Sequence, residues 1–131
     1  MNSNKLSSLN ALLALDAATC AVMGVALLAA SDPIAEVTLV PAGLLFWVGA
    51  ILIPIAAFMA ISARARPVPG WATAVIVIGN MGWAAVSILL PVTGMISPNP
   101  LGWTFVLGQA AVVAILAKLE FDALRQQFAT A

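Results

Sequence analysis

The chain has 131 residues, of which 63% are hydrophobic and 8% charged, with five basic and five acidic side chains, no histidine and a single cysteine, Cys20. Ordinary soluble domains carry about 25% charged residues, whereas the stretch from Pro67 to Ala117 carries none, so water cannot be the main solvent. Zero formal net charge without a basic tract argues against nucleic acid as a partner. One cysteine excludes an intrachain disulfide, and the absence of histidine removes the usual zinc and haem ligands, so neither a metal nor a cofactor is expected.

Four apolar segments follow one another, each near the roughly 20 residues that a bilayer span requires. The first covers residues 9–30 and is expected to end at Ser31-Asp32-Pro33, where charge and proline both disfavour a buried helix. The second covers 41–62, from Pro41 through Gly43, Phe46, Gly49 and Pro54, and meets Arg64 and Arg66. The third covers 71–90 and halts at Pro91. After the turn-rich Thr93-Gly94 and Ser97-Pro98-Asn99-Pro100, the fourth covers 101–117 and continues as a short polar helical tail over 118–131. The expectation is one all-α domain over residues 1–131, an integral membrane four-helix bundle in contact with the lipid bilayer.

Lys5, Arg64, Arg66, Lys118 and Arg125 all fall on the side holding the termini and the middle loop. By the positive-inside rule both termini are cytoplasmic, in a bacterial inner membrane, and Asp32, Glu36 and the turn from Pro91 to Pro100 face outward. A cleaved signal peptide is the competing reading of the first segment, with Ala29-Ala30-Ser31 as a small-residue cleavage site. Asp16 in mid-segment and the span-like length argue against it.

The segment from Pro41 to Gly49 aligns without gaps on that from Pro100 to Gly108, both reading P-x-G-x-x-F-x-x-G, and Met23-Gly24 aligns more weakly on Met81-Gly82. Two parallel helical-hairpin repeats, related by an axis along the membrane normal, would produce this pattern, and so would chance in apolar sequence. The glycines read as packing devices that let helices approach in lipid, joined by Ala14, Ala17, Ala18 and Ala21 on the first helix.

Asp16 is the residue least at home in lipid. It lies roughly 10 Å into the first span at 1.5 Å per residue, where an ionised carboxylate costs about 2.5 kcal/mol or more. It should therefore be protonated, paired or beside a wet cavity. Thr19, Cys20 and Met23 share its helix face. In the third helix Thr73, Asn80 and Ser87 recur every seven residues, and Gln109 reaches a similar depth in the fourth, so Asp16, Asn80 and Gln109 are expected to form one buried cluster, with Glu120 on nearly the same face as Gln109 at the cytoplasmic boundary. Such amides can be structural glue between helices, or they can orient a bound polar atom beside a titrating Asp16. Thr19 and Ser87 are expected to bond back to their own helix backbone.

Trp71 and Trp103 fall at opposite membrane boundaries, as interfacial anchors do. Trp47 and Trp83 lie deeper and are candidates to wall a lipophilic pocket, with lipid-facing packing as the alternative. In the tail, Phe121, Leu124 and Phe128 share a face opposed by Glu120, Asp122, Arg125 and Gln126, which suits a helix lying at the interface or binding a partner.

Four short spans with an acidic residue early in the first are similar in outline to the small multidrug resistance transporters. That resemblance implies a carboxylate, here Asp16, binding protons and cationic substrates, although Asp stands where Glu is expected. Leu15-Asp16-Ala17, Gly79-Asn80-x-x-Trp83 and Gly108-Gln109 make the chain resemble uncharacterised small four-span bacterial membrane proteins. Two functional readings follow. One is a non-enzymatic accessory or self-assembling component, acting as a homo-oligomer or within a larger membrane complex. The other is a proton-linked transporter or binder of a small lipophilic or cationic ligand, with Asp16, Thr19, Cys20, Asn80 and Gln109 as site residues and Trp47 and Trp83 as pocket aromatics. A lipid-modifying enzyme is the weakest reading and would need Asp16 and Glu120 to meet across a helix pair.

Overall fold

The computed structural model describes the backbone from residue 2 to residue 129 and side chains from 8 to 127, so Lys5 and Phe128, named above, lie outside the described side chains. Four helices occur, α1 (Asn2–Thr38), α2 (Ala42–Arg64), α3 (Gly70–Val92) and α4 (Pro100–Ala129), with no strand among the described residues. All four are long and apolar enough to cross a membrane. Their outward faces are apolar as well, and Val22, Ile61 and Ile78 each stand 72% exposed. A surface of this kind would aggregate in water, whereas acyl chains solvate it without penalty. The molecule is an all-α, multi-pass membrane bundle.

The first helix does not end at Ser31-Asp32-Pro33 as expected. It kinks at Ala30, whose φ of −131° and ψ of 29° leave the helical region, and resumes to Thr38. Pro33 then falls in the first turn of a new helical segment, where the missing N–H would have had no partner anyway. The true stop is Leu39, in the left-handed region at φ 59°, with its N–H bonded to the Ala35 carbonyl at 2.8 Å. That is the helix-ending conformation usually supplied by glycine.

The helices run alternately up and down. α1 packs against α2 and α4, α4 packs against α3, and α2 and α3 barely meet. The tilted ring pair Phe58–Trp71, 6.0 Å between centroids, joins α2 and α3 near the end of the bundle that carries the termini. The hairpin repeat is not matched in packing. A Cβ on Gly49 would stand 2.9 Å from the Gly24 carbonyl oxygen and one on Gly24 would stand 2.8 Å from Ile53, whereas Gly108 and Gly82 have open space around them. The reading of the glycines as packing devices therefore holds for Gly24, Gly49 and Gly102, and fails for Gly43, Gly82 and Gly108, where an added Cβ would meet nothing within 4 Å.

Two apolar clusters fill the interior. At the terminus-bearing end Leu9, Leu13, Met59, Val68, Ile76 and Ala123 close together, and at the opposite end Leu27, Val40, Leu45, Leu52 and Val106 do so. α4 does not leave the bundle at Ala117. Leu116, Ala117, Glu120, Ala123, Leu124 and Gln127 are buried along one stripe, and Gln127 Nε2 donates to the Val68 carbonyl at 3.0 Å. The expected tail face is thus divided: Leu124 packs inward while Phe121 turns outward beneath the Arg125 guanidinium, 5.7 Å from the ring centroid.

Candidate functional site: a carboxyl pair at the floor of a membrane cavity

Three polar side chains from three helices converge below the middle of the bundle. Asp16 of α1 is 1% exposed, Asn80 of α3 is 7% exposed and Glu120 of α4 is 0% exposed. Asn80 Nδ2 donates to Asp16 Oδ2 at 2.7 Å and to Glu120 Oε1 at 3.1 Å. One amide thus bridges two carboxyl groups, which lie together in the bundle interior. A hydrogen bond between two carboxyl groups needs a proton on one of them. Glu120 Oε2, buried and without another partner, is the oxygen that such a proton would satisfy.

The helices dictate this convergence. Asn80 shares the inward face of α3 with Thr73 and Ala84, both buried. Glu120 lies on the buried stripe of α4, flanked by Leu116 and Ala117 on one side and by Ala123 and Leu124 on the other. On α1 the Thr19 hydroxyl donates to the Asp16 carbonyl at 2.8 Å, a bond back to its own helix. Cys20 Sγ lies 3.8 Å from Asp16 Oδ1 and 3.9 Å from Met59 Sδ, so its weak S–H donor is aimed at the carboxyl.

Asp16 also faces a cavity of about 510 Å³ within the bundle, whose lining includes residues of all four helices. Leu27, Val40, Leu45, Leu52 and Val106 make its walls largely apolar, while Asp16, Thr19, Cys20, Ser87, Thr104 and Gln109 contribute polar atoms. The volume falls within the range of roughly 300–1,000 Å³ typical of small-molecule sites. Ser87 lines this space and makes no bond back to its helix comparable to that of Thr19.

Two expected site residues sit differently from the sequence reading. Gln109 does not join Asp16 and Asn80. Its Oε1 accepts from Trp83 Nε1 at 3.0 Å and its Nε2 donates to the Val106 carbonyl at 2.9 Å, which fixes the Trp83 ring along the cavity wall. Trp47 does not line the cavity. It is 66% exposed on the lipid-facing side of α2 and packs edge-on against Phe46 at 5.8 Å, because its position on the helix points away from α1. Trp83 alone of that pair borders the space.

Glu120, placed at the boundary by sequence, is the third member of the cluster. The signal that finds it is the inward stripe 116, 117, 120, 123, 124 and 127, which has helical period and continues past Ala117. Among the described residues no three His, Cys, Asp or Glu side chains converge so as to hold a metal ion. The arrangement can hold a proton, accept hydrogen bonds from a ligand, or balance one positive charge. Comparisons with family models, with curated proteins and with solved structures find no match to this chain.

Proposed function

We propose that this membrane protein binds, and by extension transports, a small lipophilic molecule that is cationic when seated at Asp16, in a proton-linked manner. The observation that carries the reading is the position of Asp16, which faces a largely apolar cavity on one side and on the other accepts a hydrogen bond from the Asn80 amide that also donates to Glu120. Lys118 and the three arginines are exposed, with Lys118 held by Asp122 at 3.0 Å, so among the described residues no basic side chain balances the carboxyl pair. With one shared proton the pair carries a single negative charge, and the positive charge that balances it is that of the seated ligand. Seating a cation favours loss of that shared proton, because both carboxylates can then face positive charge. The role assigned is binding, without covalent catalysis.

Charge supports an orientation with both termini in the cytoplasm of a bacterial inner membrane: Arg64 and Arg66 lie exposed at the α2–α3 connection, and Lys118 and Arg125 lie on the same side.

The test is binding of a lipophilic tertiary amine to the protein in lipid nanodiscs, by calorimetry, with the carboxylic-acid band followed by infrared difference spectroscopy. Saturable binding is expected, with loss of the acid band on binding. Asp16→Asn should abolish both while the helical signal is retained. Binding that survives Asp16→Asn, or no saturable binding of any such amine, would sink the reading.

A second reading, a self-assembling component, is favoured by one observation. A shallow groove of about 580 Å³ between α1 and α2 is lined by Ala14, Ala18, Ala21, Ala57 and Ala60. Small side chains permit close helix approach in lipid. If this face joins copies, Ala18→Leu with Ala57→Leu should shift the protein to monomer in single-molecule photobleaching counts.

A further inference from the structure

We infer that the ligand of Asp16 enters sideways from the bilayer, through the seam between α2 and α3, as an uncharged lipophilic amine that takes up the shared carboxyl proton on arrival. The inference rests on the reading of Asp16 as a cation-balancing site.

Both ends of the cavity are shut. Below Asp16 the path to the terminus-bearing end is filled by Leu9 and Leu13, each fully buried, and by Met59, Val68 and Ile76. Asn10 Nδ2 clamps that end by donating to the carbonyls of Ala63 and of Ala65, the latter at 2.8 Å. At the opposite end Val40 and Ile96, both buried, line the cavity. Asn99 ties the start of α4 to the end of α1 there: its N–H donates to the Thr38 carbonyl at 3.1 Å and its Nδ2 to the Val37 carbonyl at 2.8 Å. Gly102 packs directly on the Thr38 carbonyl oxygen, so the start of α4 is pressed onto the end of α1.

Laterally, three of the four seams are closed by helix packing, α1 with α2, α1 with α4 and α3 with α4. The fourth is not. Leu44, Val48 and Leu52 of α2 and Trp83, Ser87 and Leu90 of α3 line the cavity from either side of it. That opening meets acyl chains, because the flanking faces are lipid-facing, with Trp47 and Ile78 among their exposed residues. A hydrated metal ion or a small water-soluble amine has no comparable way in. A hydrophobic molecule dissolved in the bilayer does, at low cost only while uncharged.

The fixed Trp83 ring lies on the way to Asp16, one turn along α3 from Asn80. At Asp16 the nitrogen lone pair of the amine takes the proton held between the two carboxyls. The O–H bond breaks, an N–H bond forms, and no other atom is gained or lost. The product is an ammonium ion facing two carboxylates, with the Trp83 face available to it as a cation–π surface.

The route and the form of the ligand are tested separately. For the route, Ser87→Cys is made in a Cys20→Ala background and reconstituted into permeabilised liposomes. Labelling by bilayer-dissolved pyrene maleimide is compared with labelling by a charged, water-soluble methanethiosulfonate, each normalised to the unfolded protein. The lipid-borne reagent should be faster by on the order of a hundredfold, as the penalty for a charge in hydrocarbon requires. Val48→Trp, which fills the opposite wall, should slow it, and Ile78→Trp on the lipid face should not. Comparable labelling by the charged reagent, labelling by neither, or indifference to Val48→Trp overturns the lateral route.

For the form, the association rate of a lipophilic tertiary amine is compared with that of its N-methylated quaternary analogue, by stopped-flow quenching of tryptophan fluorescence in the same nanodiscs. The amine should associate faster by on the order of tenfold or more, because only it can enter uncharged. Equal association rates of the two overturn the entry of a neutral base. Thiol labelling proceeds whether or not any amine binds, so failure of the route is distinguishable from failure of Asp16 as a site.

Discussion

Asp16, Asn80 and Glu120 show how little room a single buried polar group has in lipid. Insertion of an unpaired carboxylate at mid-span costs about 2.5–3.5 kcal/mol, so each partner counts. Asn80 supplies one amide nitrogen to two acceptors, at 2.7 and 3.1 Å. If the carboxyls share a proton, an amide in place of one of them keeps a donor for the other. Asp16→Asn and Glu120→Gln should therefore each retain the fold within about 1 kcal/mol, while Asp16→Leu strands Glu120 and should cost about 2 kcal/mol or more. Unfolding in mixed micelles measures this, and equal losses for Asp16→Asn and Asp16→Leu would count against the shared proton. Interhelical hydrogen bonds in membranes average about 0.6 kcal/mol, so Asn80→Leu, which removes two, is expected to cost roughly 1 kcal/mol on the same scale. Asp16 and Asn80 were visible in the sequence because each is polar in an apolar run. Glu120 was harder to place, since Lys118 and Asp122 beside it made the region read as a solvated tail. Depth along a helix does not fix which neighbour a side chain turns to, so Gln109 pairs with Trp83, one turn from Asn80, and not with Asn80 itself.

At the level of helices, the close crossing of α1 and α2 is set by Gly24 and Gly49. A methyl group on Gly49 would strike the Gly24 carbonyl oxygen and the Leu28 nitrogen, backbone atoms that cannot step aside. Gly49→Ala should destabilise by about 1–3 kcal/mol, the range for overpacking. Gly108→Ala, its counterpart in the other hairpin, meets open space and should gain up to about 1 kcal/mol from helix propensity. The two substitutions, run side by side in a micelle unfolding assay, separate a repeat in sequence from a repeat in packing. Asn99 is the cap of α4: its Oδ1 accepts the Gly102 N–H at 2.8 Å, and Pro100 follows at the first helical position. Asn99→Ala removes that cap together with the bond to Val37, and a loss of about 1–2 kcal/mol is expected. The Asn-Pro pair was legible as a helix start. The end of α1 at Leu39 was not, because a non-glycine residue at positive φ leaves no compositional mark, and Pro33 offered a more conspicuous but false stop.

Across the whole molecule, the interior and the lipid-facing surface are similar in composition and differ in packing. Leu13 is fully buried and Ile61 is 72% exposed. In a soluble protein a buried Leu→Ala change costs about 2–5 kcal/mol, part of it from lost transfer into an apolar phase. Here lipid already supplies that phase, so only the cavity part remains. Leu13→Ala should cost clearly less than the upper end of that range and clearly more than Ile61→Ala, which should be near zero by unfolding in mixed micelles.

Hydropathy, the uncharged stretch from Pro67 to Ala117 and the turn residues between segments determined that this chain makes four membrane helices, because unpaired backbone polar groups are intolerable in lipid and a helix is the local solution. Pairing of the helices was decided only in three dimensions. Apolar side chains pack against protein or lipid with little difference in free energy, so sequence could not say that α2 and α3 stay apart, that a cavity opens between them, or that the α4 stripe carries Glu120 inward to the Asn80 amide that also holds Asp16. Shape complementarity at Gly24 and Gly49, and the need of each buried carboxyl oxygen for a partner, settled those points.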